Sequence, residues 1–269
     1  MPNFINLLLR RSYRTKVNQK LTFFLLVLSL FTGWQCVQAS TAQNAPAELK
    51  NLLTQIDTAA NQGNVKAVMQ YYSPSFTHGD GLTRQAMEKA LVSLWQRHPK
   101  LRYTTQLQSW RRQGNIVIAE TVTQISGAPS ANSQNMALNA TIRSEQRISG
   151  QQIVQQNIIS ERTQLTSGAK PPQIDFKLPQ QVKVGQQFSF DAIVSEPLGD
   201  DYLLGAALEE PVKADTLLKP SSVNLQLLSA GGLFKIGRAP ATPGDTWVSA
   251  VIMRSEGTTM VTQRLRIVK

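Results

Sequence analysis

The chain has 269 residues, with 28 Lys and Arg against 17 Asp and Glu, a formal net charge of +11, one cysteine and two histidines. That length suffices for two modest hydrophobic cores, one cysteine excludes a disulfide framework, and two histidines without an Asp-x-Asp-x-Asp loop leave transition-metal and EF-hand sites short of ligands. Basic residues are scattered apart from Arg111-Arg112 and lack the interleaved aromatics that stack bases, so nucleic acid is not an expected partner.

The first element is "RRSYRTKVNQK", carrying Arg10, Arg11, Arg14, Lys16 and Lys20 without an acid, followed by the apolar run "LTFFLLVLSLFTGW". This is the layout of a secretory leader. The run from Leu21 to Trp34 falls short of the roughly 20 residues that span a hydrocarbon core, and "VQAS" offers a cleavage site after Ala39. Trp34 and Gln35 are too large to precede a lipidated Cys36, and Arg14 interrupts a twin-arginine pattern. Residues 1–39 are therefore expected to be a signal peptide that sends the chain to the periplasm or outside the cell, touching the membrane only before cleavage. An uncleaved N-terminal anchor is the alternative. Cleavage would remove the only cysteine and leave 23 basic against 17 acidic residues.

After a polar lead, residues 40–45, the apolar positions Leu49, Leu52, Leu53, Ile56 and Ala60 form one helical stripe that ends at Gly63. Asn64 can cap a second helix through Val65, Val68, Met69 and Tyr72, which Ser73-Pro74 stops. Thr83 can cap a third, through Met87, Ala90, Leu91, Leu94 and Trp95, ending at Pro99. From Leu101 the apolar rhythm changes to a period of two, and "LRYTTQLQSWRRQ", "NIVIAETVTQIS", "NMALNATIRSEQRIS" and "QQIVQQNIISERTQL" read as strands. Gly114-Asn115 and Ser149-Gly150 suit hairpin turns. The result expected is an antiparallel sheet with one face buried under the helices.

"TSGAKPPQ" reads as a linker, residues 167–172, between an α+β domain at 46–166 and a second domain at 173–269. In the second, "QQFSFDAIV", "YLLGAALEE", "VNLQLLS", "GLFKIGRA", "TWVSAVIMRS" and "MVTQRLRIVK" are spaced as the strands of a small sandwich, with Glu256-Gly257 closing the last hairpin. "LGAALEE" also suits a helical turn. Asp200-Asp201 reads as a solvated turn.

Two helices, "YYSPSFTHGDG", a third helix ending in "LWQRHP" and four long strands with "SW" and "AETVT" resemble the cone-shaped NTF2-like or SnoaL-like domains of secreted cyanobacterial proteins. The resemblance covers about residues 46–166 and rests on order and length of elements. It implies an α+β fold in which three helices pack on a curved antiparallel sheet. The second half resembles an immunoglobulin-like sandwich in architecture alone, without a cysteine pair. The superfold hosts isomerases, cyclases, dehydratases and non-catalytic binding proteins, so it does not choose an activity.

In such a cone an inward acid or histidine often acts as general base. If 76–80 is extended, Phe76, His78 and Asp80 share a face, so Asp80 could serve as base and His78 as its partner. The competing expectation is a local turn, since Gly79 and Gly81 flank Asp80 and its carboxylate could bind nearby backbone amides. Glu120 alternates with Ile116, Ile118 and Val122, yet Val117, Ala119 and Ile125 make the other face as apolar, which favours an outward Glu120. Tyr71, Tyr72, Trp95, Tyr103 and Trp110, with Phe76, His78 and Glu120, are the candidate pocket lining, although Tyr72 and Trp95 sit on helical stripes that suit a core. No Gly-x-Ser-x-Gly elbow, phosphate-binding glycine loop or dinucleotide fingerprint occurs. The expected function is a non-catalytic extracytoplasmic protein without cofactor, its cone holding a small apolar ligand or an envelope protein and its sandwich tethering it. An isomerase or dehydratase using Asp80 and His78 is the alternative, and envelope assembly through edge strands a third. The resemblance also admits a homodimer through the cone's sheet.

Overall fold

The change of rhythm at Leu101 marks the passage from helix to sheet in the computed structural model, which describes residues 40–131, 136–197, 199, 201–213 and 223–269. The expected leader with its cleavage site, and Asp200, lie outside the described residues. Among those described, no helix is long and apolar enough to cross a membrane.

Helix α1 (Ala47–Asn61) buries Leu49, Leu52, Leu53, Ala59 and Ala60. Helix α2 (Val65–Gln70) starts where the Asn64 side chain accepts the Ala67 N–H at 3.0 Å. Helix α3 (Arg84–Arg97) starts where Thr83 accepts from Ala86 N–H at 3.1 Å, and of its residues only Trp95 is fully buried. Each cap satisfies a donor that the first helical turn leaves open.

A two-residue strand, β1 (Ser40–Thr41), precedes the helices, and β2 (Tyr72–His78) separates α2 from α3. The second helix ends at Gln70, short of the expected Tyr72, which instead opens the strand, so Ser73-Pro74 lies inside β2 and does not stop the helix. Strand β2 runs parallel to β6 (Gln152–Gly168) with its register broken between Tyr72 and Thr77, where Pro74 has no N–H to offer a ladder.

Strands β3 (Leu101–Gln113), β4 (Ile116–Gly127), β5 (Ala137–Ser149) and β6 are the four long segments read from the sequence, joined antiparallel in order. Leu101, Ala119, Leu138, Ile148 and Ile153 meet the helices in one apolar cluster. Polar side chains fasten α1 to β3: Asn61 accepts from Tyr103 N–H at 2.6 Å, and Asp57 from Thr105 N–H at 2.6 Å and its hydroxyl at 2.7 Å. These groups satisfy part of an edge that the short β1 leaves open.

Among the described residues the remaining regular elements are all strands: β7 (Ile174–Lys177), β8 (Gln181–Lys183), β9 (Gln187–Val194), β10 (Leu203–Pro211), β11 (Gln226–Leu228), β12 (Gly232–Arg238), β13 (Gly244–Arg254) and β14 (Gly257–Val268). The ambiguous "LGAALEE" is extended in β10 because it pairs along its length with β13. Strands β7, β9 and β12 form a small sheet. Its Phe176, Phe188, Phe190 and Ala192 pack with Leu203, Val248, Ala250, Ile252, Val261 and Leu265 in a second apolar cluster.

The two halves share one sheet. The far part of β6, from Arg162 to Gly168, pairs with β14, giving a sheet of 11 strands: nine on the path β1-β3-β4-β5-β6-β14-β13-β10-β11, with β2 beside β6 and β8 beside β14. The expected linker is built into this junction: Gly168 pairs with Gly257, Lys170 N–H bonds to Glu256 O at 3.1 Å, and buried Pro172 accepts from the Thr259 hydroxyl at 2.7 Å. Glycine and proline serve here as a tight corner. Leu138, Leu165 and Met260 are cross-strand neighbours and so share the helix-bearing face, whereas Val261 points to the opposite face and the small sheet. Helices and small sheet thus pack on opposite faces of one sheet, offset along it. The described residues fall in one compact unit.

Candidate functional site

The stretch "THGDG" sits where β2 leaves the sheet. Gly79 N–H still bonds to Gln156 O at 2.9 Å, and Gly81 N–H closes a turn onto His78 O at 2.9 Å with φ of 78°. Inside that turn the Asp80 N–H donates to His78 Nδ1 at 3.1 Å, which places the ring proton on Nε2. The turn expected around Asp80 is present. Its carboxylate, however, does not cap neighbouring amides.

Both oxygens of Asp80 instead accept from one guanidinium, that of Arg264 on β14, at 2.9 Å to Nη1 and 2.7 Å to Nη2. This bidentate geometry fits a guanidinium better than any other cation. Nη1 also donates to Asp245 at 2.8 Å, and Nη2 to Glu161 at 3.3 Å. Glu161 accepts in addition from Trp247 Nε1 at 3.2 Å, and Arg266 lies 3.7 Å from Asp245. The Arg264 side chain is 2% exposed. Burial alone would weaken its hold on the proton, but hydrogen bonds and charges from Asp80, Glu161 and Asp245 outweigh that and hold its pKa above the usual arginine range.

His78 lies beside the cluster, its Nδ1 3.7 Å from Asp80 Oδ2. Burial lowers its pKa most, Asp80 opposes the shift, and Arg264 adds to it. His78 is therefore held toward the neutral form, consistent with an Nδ1 that accepts. Glu161, Asp245, Trp247 and Arg264 were not among the residues the sequence singled out. Arg264 sits 184 positions from its main partner, and no local spacing announces the pairing.

Next to the cluster opens a cleft of about 960 Å³, lined among others by Asp80, Glu145, Asn157, Asp245, Arg266 and Lys269. Its carboxylates are engaged, Asp80 and Asp245 by Arg264, and Glu145 by Arg111 at 2.9 Å. Among the described residues, no group of three or more His, Cys, Asp or Glu is placed to hold a metal ion.

The aromatic candidates lie in the first core. Tyr72, Phe76 and Trp95 are 6%, 5% and 8% exposed, and Tyr71, Tyr103 and Trp110 pack against them. Tyr72 meets Phe76 edge-on with centroids 5.0 Å apart, and Trp95 Nε1 donates to Tyr103 Oη at 2.8 Å. Burial pushes the Tyr103 phenol up to about 12, against the hydrogen bond from Trp95, and burial with help from Tyr103 raises Tyr72 as well. Glu120 lies on the sheet face away from the helices and pairs with Arg143. Asp201, read from the sequence as part of a solvated turn, accepts from the buried Arg254 at 2.7 Å and from Ser255 at 2.9 Å, so it ties the segment before β10 to the end of β13.

A family model described as a domain of unknown function, DUF8623, matches residues 169–268. No curated protein sequence matches the chain significantly. Solved structures that resemble it include Bd1075 of Bdellovibrio bacteriovorus, at 11% identity and a TM-score of 0.30, where the match spans 41% of this chain and only 38% of that one. An NTF2-like protein of unknown function from Cytophaga hutchinsonii matches at 13% identity and a TM-score of 0.27, over 43% of this chain and 91% of its own. A Jannaschia protein described as a SnoaL-like polyketide cyclase matches at 9% identity and a TM-score of 0.32, over 43% and 88%. Two of these three neighbours are described as NTF2-like and SnoaL-like, and each of the three is aligned to about two-fifths of the chain.

Proposed function

We propose that this chain is a non-catalytic interaction protein that works outside the cytoplasm, with an NTF2-like half whose interior is filled and an immunoglobulin-like half that tethers or assembles it. The observation that carries this reading is the fate of Asp80: both oxygens are held by a buried guanidinium whose Nη1 and Nη2 also donate to two further carboxylates. A general base needs a free lone pair aimed at substrate. His78 is occupied in the same way, its Nδ1 accepting from Asp80 N–H. With Tyr72, Phe76 and Trp95 closed into the core, binding falls to the surface, which favours a macromolecular partner over a small apolar ligand. The leader-like N-terminus supports export.

The test is purification from the organism's own envelope fraction, followed by native mass spectrometry and a turnover assay on a panel of cyclase, dehydratase and isomerase substrates. A protein free of small molecules, inactive on the panel and enriched in the envelope is the expected result. Turnover that His78→Gln abolishes, or confinement to the cytoplasm, would overturn the reading.

A further inference from the structure

On the sheet face away from the helices, beside the part that the small sheet covers, lies a second concentration of chemistry. On that face Arg102, Ser126, Asn139 and Gln164 are direct cross-strand partners, one from each of β3, β4, β5 and β6. The adjacent row on the same four strands is Thr104, Gln124, Thr141 and Arg162. The two rows line a groove of about 390 Å³. All eight side chains are polar and none is a carboxylate. The two arginines stand at diagonal corners, on strands three spacings or about 14 Å apart across the sheet.

Neither of these two cations is neutralised, and Arg147 further along the face likewise donates to an amide, that of Gln113. Further along, Arg143 pairs with Glu120 and Arg111 with Glu145. Among the described residues neither Arg102 nor Arg162 has a carboxylate partner. Arg162 is held in place, its guanidinium stacked 5.2 Å over the Phe176 ring and donating to Gln263 at 3.4 Å. Arg102 is exposed.

We propose that this groove binds an acidic polysaccharide, with Arg102 and Arg162 taking carboxylates and the amides and hydroxyls between them taking sugar hydroxyls. Guanidinium forks suit carboxylates, whereas Asn, Gln, Ser and Thr both donate and accept, as sugar hydroxyls do. Other occupants fit the lining less well. A protein partner would call for aromatic or apolar anchors at the centre, and single-stranded nucleic acid for aromatic stacking platforms; the eight side chains of the two rows offer neither, and Ile125 and Ala140 between them belong to the helix-bearing core. The inference rests on the reading that the chain acts by binding.

The test is calorimetric titration of the full chain with galacturonate oligomers and with the same oligomers methyl-esterified. Binding of the acid form, weakened about tenfold or more by esterification, is expected. Arg102→Gln and Thr141→Glu should each reduce affinity about tenfold; both positions are exposed, so the fold should tolerate the changes. Lys177→Gln, on the small sheet, should leave it unchanged. No binding, equal affinity for the ester, or indifference to Arg102→Gln and Thr141→Glu would overturn the groove. So would a dimer in sedimentation that Thr141→Glu dissociates, since a second copy would then cover the face. New reducing ends during the titration would overturn the non-catalytic reading and leave the groove's binding standing.

Discussion

A buried arginine is costly unless its donors find acceptors; the Nη1 and Nη2 groups of Arg264 reach three carboxylates from three separate parts of the chain, the turn after β2, β6 and the start of β13, while its Nε–H is buried without a partner. Removing one anion leaves the guanidinium buried with fewer partners, a loss that typically costs about 3 kcal/mol. Asp80→Asn should therefore lower stability by about that amount in urea melts, with Glu161→Gln, whose contact is longer, costing less. An effect of Asp80→Asn no larger than that of a surface change would contradict the structural role given to the cluster. His78 adds a pH dependence whose sign is set by burial. Its folded pKa lies below the ordinary 6.5, so between those values the unfolded chain binds a proton that the folded chain refuses. The stabilising contribution is complete above 6.5 and is lost as the pH falls through the folded value. The melting temperature should fall between pH 7.5 and 5.5, and less steeply in His78→Gln. Some slope should survive, because His98, next to Arg97, is also lowered, chiefly by burial. A His78→Gln profile superimposable on the wild type would show that His78 is not the source.

At the scale of elements, what was legible depended on length and locality. Stripes of three to five apolar residues announced the helices, and alternation over a dozen residues announced β3 to β6, because such patterns survive whatever lies across the sheet. Strands β7 and β8, with four and three residues, are too short to show a period. The turn around Asp80 was legible from its glycines, but the partner of its carboxylate was not, since an ion pair between residues 80 and 264 leaves no trace in neighbouring positions. The segment at 167–172 shows how composition misleads: glycine and proline suit a flexible connection and a cramped corner equally. Gly168 has φ of 91°, and a methyl group there would lie 2.3 Å from Glu256 O and 2.5 Å from Gly257 Cα, both backbone atoms of the turn that opens β14. Gly168→Ala should thus cost 2 kcal/mol or more, roughly, by forcing β6 and β14 apart. Gly114→Ala, with φ of 59° but open space around it, should cost only about 1 kcal/mol. Comparable destabilisation of both, by chemical denaturation, would show the corner to be less constrained than its geometry states.

For the whole molecule, the decisive fact is that two apolar clusters hang on one hydrogen-bonded sheet. Separate clusters would ordinarily permit separate unfolding, yet β6 belongs to both halves, and the Arg264 cluster joins Asp80 beside the helices to Asp245 and Trp247 on β13. Opening either half strips the other of ladder partners or of counter-charges. Trp95 and Trp110 report on the helix-bearing core, and Trp247 on the junction with β14. Urea unfolding of Trp247→Phe, which keeps the first pair as reporters, and of a Trp95→Phe, Trp110→Phe double variant, which keeps Trp247, should each give a fluorescence midpoint that coincides with the variant's own midpoint by circular dichroism, as a two-state transition demands. Adding Asp80→Asn should lower both transitions together, because the sheet remains continuous without the ion pair. Midpoints that separate in the parent variants would mean that the halves fold independently and that the shared strand is a seam. Midpoints that separate only after Asp80→Asn would mean that the buried charges, more than the backbone ladder of β6 and β14, hold the two cores to one transition.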